Sequence, residues 1–460
     1  MESSSLLQGS ISKALIRLAV PIMGTAFLQT AYNLTDMVWL GHLSSNAVAA
    51  SGTAGFFMWL GMAFIIVSKI GAEIGVAQSI GRQEPETARS FSRSAIQLNL
   101  LLSVSYGILL FLMREPLIAF FRLGDATVER DAVAYLGVIA LAMPFAFITP
   151  VISGIFNGCG NSRTPFYINM SGLVFNILAD PVLIFGFGPV PAMGVIGAAY
   201  ATLLAQLMVA VIFLYQLIML RRPLGALQLL QRPDWSMMKR IAGYGVPVAV
   251  QSGMFTLFAI IIARIISQWG PLPIAVQKVG SQIESISWMT ASGFATALGA
   301  FVGQNYGAGQ WRRIIKGYFV AMGMMTVVGV GATLLLVFAG GPVFSLFVPE
   351  PEAIAQGTVY LKILGYSQLF MCIEITTAGA FNGLGRTLPP AVSSVLLTGA
   401  RVPAALLLSS PALLGLEGVW WSISISSVLK GIVVLILFAW TLRRLSPGKR
   451  SAKAGGANCH

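Results

Sequence analysis

Asp36 stands in the stretch FLQTAYNLTDMVWLG, residues 27–41, which is otherwise apolar enough to cross a lipid bilayer. An ionised carboxylate near the middle of a hydrocarbon layer costs about 2.5–3.5 kcal/mol even on lenient insertion scales. Such a residue must be compensated or put to use. Asp180, in NILADPVLIFGFG, residues 176–188, poses the same problem. Asn176 precedes Asp180 by four positions and Tyr32 precedes Asp36 by four, so each pair shares a helix face. Gln29 lies one turn deeper than Tyr32. Two acids, two amides and a phenol can build a polar cluster inside the membrane. The chemistry open to it is reversible protonation, because a carboxyl group shielded from water is costly to charge. The plainer alternative is a carboxylate that snorkels or is capped internally.

These residues need long apolar elements to position them. The chain has 460 residues with 56% hydrophobic and only 10% charged, against about 25% charged in a soluble domain. A spanning helix takes about 20 apolar residues. Runs of that kind fall at 14–41, 47–72, 91–113, 131–158, 165–188, 193–220, 239–266, 272–303, 315–340, 354–380, 388–412 and 416–443. The sequence therefore predicts an all-α integral membrane protein with twelve transmembrane helices. Runs this long exclude a porin-type barrel, whose strands are about ten residues of alternating polarity. The N-terminal stretch lacks a small-residue cleavage site after its apolar run, so the first helix is expected to serve as its own targeting signal.

The net charge of +13 could suggest nucleic acid, but its placement argues for a membrane. With the N-terminus taken as cytoplasmic, twenty Lys and Arg fall on the inner side. Three, Arg114, Arg122 and Arg130, fall outside, in one loop diluted by Glu115, Asp125, Glu129 and Asp131. That is the positive-inside asymmetry. It predicts a multi-pass protein with both termini cytoplasmic and no nucleic-acid partner; the expected location is the bacterial plasma (inner) membrane. Cys159, Cys372 and Cys459 show no paired spacing and only two histidines exist, so neither a metal site nor a disulfide framework is expected.

The chain repeats itself. KALIRLAVPIMG (13–24) aligns with KRIAGYGVPVAV (239–250), setting Pro21 on Pro247 at an offset of 226. GAEIGVAQSIG (71–81) aligns with GAFVGQNYGAG (299–309), NGCGNSRTP (157–165) with NGLGRTLPP (382–390), and MGVIGA (193–198) with LGLEGV (414–419). Four matches in one order at nearly one offset indicate a duplication. Six helices precede each equivalent point, so both halves enter the membrane the same way up, a parallel-repeat transporter architecture. The expected organisation is a first lobe at 1–220, a cytoplasmic linker at 221–238, a second lobe at 239–445 and a disordered tail at 446–460. At these offsets Asp36 maps to Ile262, Tyr32 to Phe258 and Asp180 to about Ala405. The second half keeps the scaffold and loses the acids, which favours a functional role for them.

The sequence resembles the multidrug and toxic compound extrusion (MATE) family. The likeness rests on DMVWLGHLSSNAVAASG (36–52), GIFNGCGNSRTP (154–165), NILADPVLIFGFGPVPAMGVIGAAYAT (176–202) and GFATALGAFVGQNYGAG (293–309). It spans essentially residues 10–445 and is greatest to the prokaryotic DNA-damage-inducible (DinF-like) branch. The resemblance implies two six-helix lobes around a central, V-shaped cavity, and export of lipophilic, often cationic compounds in exchange for protons or sodium ions. It places proton-coupling residues at Asp36, Asn176 and Asp180, and surrounding network positions at Gln29, Tyr32 and Thr202. Sodium-coupled members use acids in the seventh and tenth helices. Here the seventh offers Gln251 and Arg264 instead, which favours protons over Na+.

In the second half, Glu374 is expected to pair with Lys362, and Glu284 to be a cavity acid or an internally paired one. Three function classes follow. Proton-coupled multidrug efflux by a monomer, with small lipophilic or cationic substrates and membrane lipid as partners and no cofactor, comes first. A flippase or exporter of a lipid-linked or amphipathic metabolite is the alternative, as is sodium-coupled drug efflux. A membrane enzyme fits poorly, since no histidine lies within the spans and no catalytic dyad appears. No phosphate-binding loop is present, so ATP is not the expected energy source.

Overall fold

A computed structural model describes residues 6–410 and 412–445; the tail expected at 446–460 lies outside these. The first half holds α1 (Ile11–Leu43), α2 (Ser45–Gly81), α3 (Pro85–Ala119), α4 (Ala126–Gly158), α5 (Arg163–Phe185) and α6 (Gly194–Ile218). The second holds α7 (Trp235–Ile266), α8 (Pro271–Gly307), α9 (Trp311–Ser345), α10 (Pro351–Gly365), α11 (Gln368–Gly383), α12 (Leu388–Gly399), α13 (Arg401–Leu408) and α14 (Leu416–Leu445). Local chemistry sets the starts. Ser44 Oγ accepts from the Ala47 amide at 3.0 Å and Asp125 Oδ1 from the Thr127 amide at 2.8 Å, satisfying first-turn donors. Pro85, Pro271 and Pro351 occupy first-turn positions where no donor is needed.

Eleven helices or helix pairs among the described residues are long and apolar enough to cross a membrane. The expected tenth span, 354–380, is instead two helices, α10 and α11, parted at Tyr366–Ser367. Ser367 Oγ bonds back to the Leu364 carbonyl at 2.8 Å, a side-chain bond that competes with the helical ladder. Counting that pair as one crossing gives twelve. The expected eleventh span, 388–412, is also divided, into α12 and α13. Pro403 has no N–H to offer the Gly399 carbonyl four residues back, so the ladder opens at Ala400.

The duplication is visible in the element ends. The helices α2 and α8 are both 37 residues long, and α3 and α9 both 35. The protein is thus an all-α membrane protein of two parallel six-span lobes. One compact unit comprises Arg17–Ala249, the other Leu6–Ile16 with Val250 onward. This differs from a division through 221–238. The first half of α7 packs on α2 in the first unit. A Cβ on Gly245 would stand 2.1 Å from the Val67 carbonyl oxygen, and one on Gly71 2.6 Å from that of Ile241. The core of the first unit is built on Phe91, Phe147, Phe156 and Phe213, that of the second on Phe344, Tyr360 and Trp420.

Candidate functional site

Three helices of the first unit bring the predicted residues together. The helix α1 carries Gln29, Tyr32 and Asp36, α5 carries Asn176 and Asp180, and α6 carries Thr202. Small residues let these helices close in: a Cβ on Gly172 of α5 would stand 2.4 Å from Val209 Cγ2 of α6. The Asn176 and Asp180 side chains share one α5 face and are fully buried, both at 0% exposure. Asn176 Nδ2 donates to Asp180 Oδ1 at 3.1 Å, and Thr202 Oγ1 donates to Asp36 Oδ2 at 3.4 Å. The Asp36 carboxyl also lies against Asp180 and Asn176, and Tyr32 lies beside Thr202.

What the cluster lacks is as informative as what it contains. Asp36 Oδ1, Asp180 Oδ2, Asn176 Oδ1 and the Tyr32 hydroxyl are buried with no hydrogen-bond partner. Among the described residues, the ion pairs Arg89–Glu86 and Lys430–Glu374 involve neither aspartate. Carboxylate oxygens only accept, so two acids in contact, with oxygens that find no donor among the described residues, can take up a proton. Five of the six predicted residues gather here. Gln29 does not reach the acids; it faces a cavity of about 30 Å³ that it lines with Thr25, Tyr32, Asn169 and Gln206. That space suits one or two waters. Sequence reasoning missed Tyr135 of α4, which is buried and within electrostatic reach of both Asp36 and Asp180. An aromatic in an apolar run carries no sequence signal for such a role.

The second unit holds a different cluster. Lys430 Nζ of α14 stands 3.0 Å from Glu374 Oε2 of α11, both side chains buried, and Ser394 Oγ donates to Glu374 Oε1 at 3.2 Å. The expected Lys362 partner is therefore wrong; Lys362 is exposed on α10. Arg401 is buried and donates to Ser426 and Ser427, the latter at 2.8 Å, within electrostatic reach of Glu374 and Glu284. Gln368 Nε2 donates to Glu284 Oε2 at 3.1 Å, and Tyr360 lies beside the same carboxyl. Glu284 is thus internally partnered, with one oxygen, Oε1, left free.

Two six-span lobes in parallel repeat, one of them carrying acids that form no ion pair among the described residues, define a secondary-transporter class of membrane protein. The MatE family model matches twice, over residues 21–182 and 247–407, so each half of the duplication is recognised separately, and together they cover most of the chain. The chain belongs to the MatE family. It is 29% identical over 456 residues to a protein of Thermotoga maritima named probable multidrug resistance protein NorM, covering 97% of this chain and 96% of that one. It is 26% identical to a Shewanella oneidensis protein named FAD transporter, covering 94% and 95%. Its fold is similar to a crystal structure titled MATE in the bent conformation, with a TM-score of 0.91 at 23% identity over 98% of this chain and 99% of that one.

Proposed function

We propose that the protein is a secondary active multidrug exporter of the bacterial inner membrane, driven by proton antiport, with Asp36 as its main protonation site. The observation that carries this reading is the contact between Asp36 and Asp180, with free, buried oxygens and no paired cation among the described residues. A lipophilic cation and a proton then compete for one negative charge. Binding of either disfavours the other, and linkage makes that opposition reciprocal. A proton arriving from outside discharges Asp36, changes its hydrogen bond from Thr202 and its contact with Asp180, and releases the cargo. The bending of α1 that accompanies this has a natural place at Pro21, where a helix hydrogen bond is missing. The names of the relatives support drug-like cargo, and the orientation rests on the charge asymmetry of the loops. Both termini are cytoplasmic on this reading, and the working unit is a monomer.

The test is export of a fluorescent cationic dye by inverted membrane vesicles carrying the wild-type chain or Asp36→Asn. A pH gradient alone should drive wild-type transport, a sodium gradient alone should not, and Asp36→Asn should fall to background while remaining in the membrane. Transport driven by sodium alone would transfer the same free oxygens to a Na+ ion. Proton-driven transport retained by Asp36→Asn would remove the assignment.

A further inference from the structure

Both halves hold, on their third helix, the segment that leads into the other half's first helix. In the second unit Arg313, near the start of α9, spreads its guanidinium over the turn ahead of α1. Its Nε donates to the Leu6 carbonyl at 3.2 Å, Nη2 to Gln8 at 2.9 Å and Nη1 to Gly9 at 3.0 Å. Asn305 Nδ2 adds a second bond to the Leu6 carbonyl at 3.2 Å and is held by the Phe301 carbonyl at 2.8 Å. The guanidinium lies over the Phe301 ring, 5.4 Å from its centroid, and Leu6 is fully buried. Three nitrogens of one rigid fork thus satisfy three carbonyls that no helix ladder reaches, which the point charge of a lysine could not do.

The first unit repeats the device. Arg89, near the start of α3, donates from Nε to the Leu224 carbonyl at 2.8 Å, and Gln97 donates to Leu229 at 2.9 Å and Gln231 at 2.8 Å. These carbonyls belong to the segment leading into α7. Each clasp closes on a glycine in the left-handed region, Gly9 at φ +73° and Gly225 at φ +90°. The compact units record the result, because α1 passes from one unit to the other at Ile16–Arg17 and α7 at Ala249–Val250. Each of these helices therefore starts in one unit and ends in the other. Pro21 and Pro247 stand just beside the two passages.

We propose that α1 and α7 are straps, each running from one unit into the other, and that the Arg313–Asn305 clasp is the anchor of the first, fixing residues 6–16 to the second unit. Displacement of that unit is then delivered directly into the helix that carries Asp36. The transport consequence rests on the export reading above; the anchoring does not.

The test uses the full chain in lipid nanodiscs for amide hydrogen exchange, and inverted vesicles for dye export, with Arg313→Ala, Arg313→Lys and the exposed neighbour Arg312→Ala. Exchange at residues 6–16 should quicken at least tenfold in both Arg313 variants, with peptides from α11 and α14 unchanged. Export should fall at least tenfold in the same two and stay within twofold of wild type in Arg312→Ala. Unchanged exchange at 6–16 overturns the anchor, and faster exchange with wild-type export overturns the strap. Should Arg313→Ala not fold, deletion of residues 2–9 leaves α9 whole and must lose export equally; a deletion that exports normally overturns the strap. A wild-type chain that moves no dye under either gradient would sink the export reading, and the anchor would then be decided by exchange alone.

Discussion

In the first half Asp36 and Asp180 meet with an amide and hydroxyls around them and oxygens left over. In the second half Glu374 and Glu284 share their surroundings with Lys430 and Arg401, which cancel their charge. The scaffold is one scaffold used twice, so the difference lies in the side chains. The Lys430–Glu374 pair, with the other Glu374 oxygen bonded to Ser394, is held in one geometry, while Glu284 is bonded through one oxygen to Gln368. The Asp36–Asp180 pair meets no cationic side chain in an ion pair among the described residues, so a proton is what can change its charge. On the proposed export reading the first cluster serves coupling, whereas the second ties helices α11, α12, α13 and α14 together.

The comparison is broken most directly at Asp36. Asp36→Asn keeps the shape of the site and deletes its titratable group, so proton-driven export should drop to background, a loss of at least a hundredfold in initial rate. A variant that transports normally with a pH gradient would make the two clusters equivalent. The counterpart in the second half should act on stability. Lys430→Met strips Glu374 of its partner and leaves a buried charge, at a cost of about 3–5 kcal/mol. Thermal unfolding in detergent should show a large fall in midpoint, and the double variant Lys430→Met/Glu374→Gln should recover most of it. Recovery failing while export survives would mean that the pair does not hold the fold.

The architecture was legible in the sequence because bilayer physics leaves few choices: an apolar run of that length has to be a helix, and offsets near 226 reveal the repeat. The acid cluster was legible for a related reason, since Asn176–Asp180 and Tyr32–Asp36 obey helical spacing and a membrane makes any acid conspicuous. What could not be read were pairings between helices far apart in sequence. Glu374 finds Lys430 on α14 because α11 and α14 pack together, a fact that helical spacing to Lys362 cannot anticipate. The breaks at Ser367 and Ala400 were missed because hydropathy sums over residues that remain apolar whether or not the ladder is continuous. The reach of α7 into the first unit depends on backbone approach at Gly245 and Gly71, visible only as two small residues in the sequence.

A finer test of the contrast concerns the hydrogen bonding of Asp36. Thr202 donates the one direct hydrogen bond between α6 and Asp36, and at 3.4 Å it is long. Thr202→Val preserves volume and removes the donor, worth about 1 kcal/mol. Export should fall by about fivefold, with the dependence on a pH gradient retained. Complete loss would place Thr202 beside Asp36 in importance, and no change would leave the acids as the sole determinants.

The smallest expected effect concerns an acid that is solvated rather than buried, Asp125 in the loop ahead of α4. Its Oδ1 accepts from the Thr127 amide at 2.8 Å and from the Thr127 hydroxyl at 2.6 Å, and these bonds hold its carboxyl below the ordinary value of 3.8. Because the folded value is depressed, the stabilisation is fully present above about pH 4 and is lost as pH falls through the folded value. Asp125→Ala should therefore speed amide exchange at Thr127 and Val128 at neutral pH, and the gap from wild type should close in strong acid. Export should not change at any pH, because this carboxyl meets water on every side and no second acid. An export defect in Asp125→Ala would mean that exposed acids contribute to coupling, and would erase the contrast between a sequestered pair and the rest.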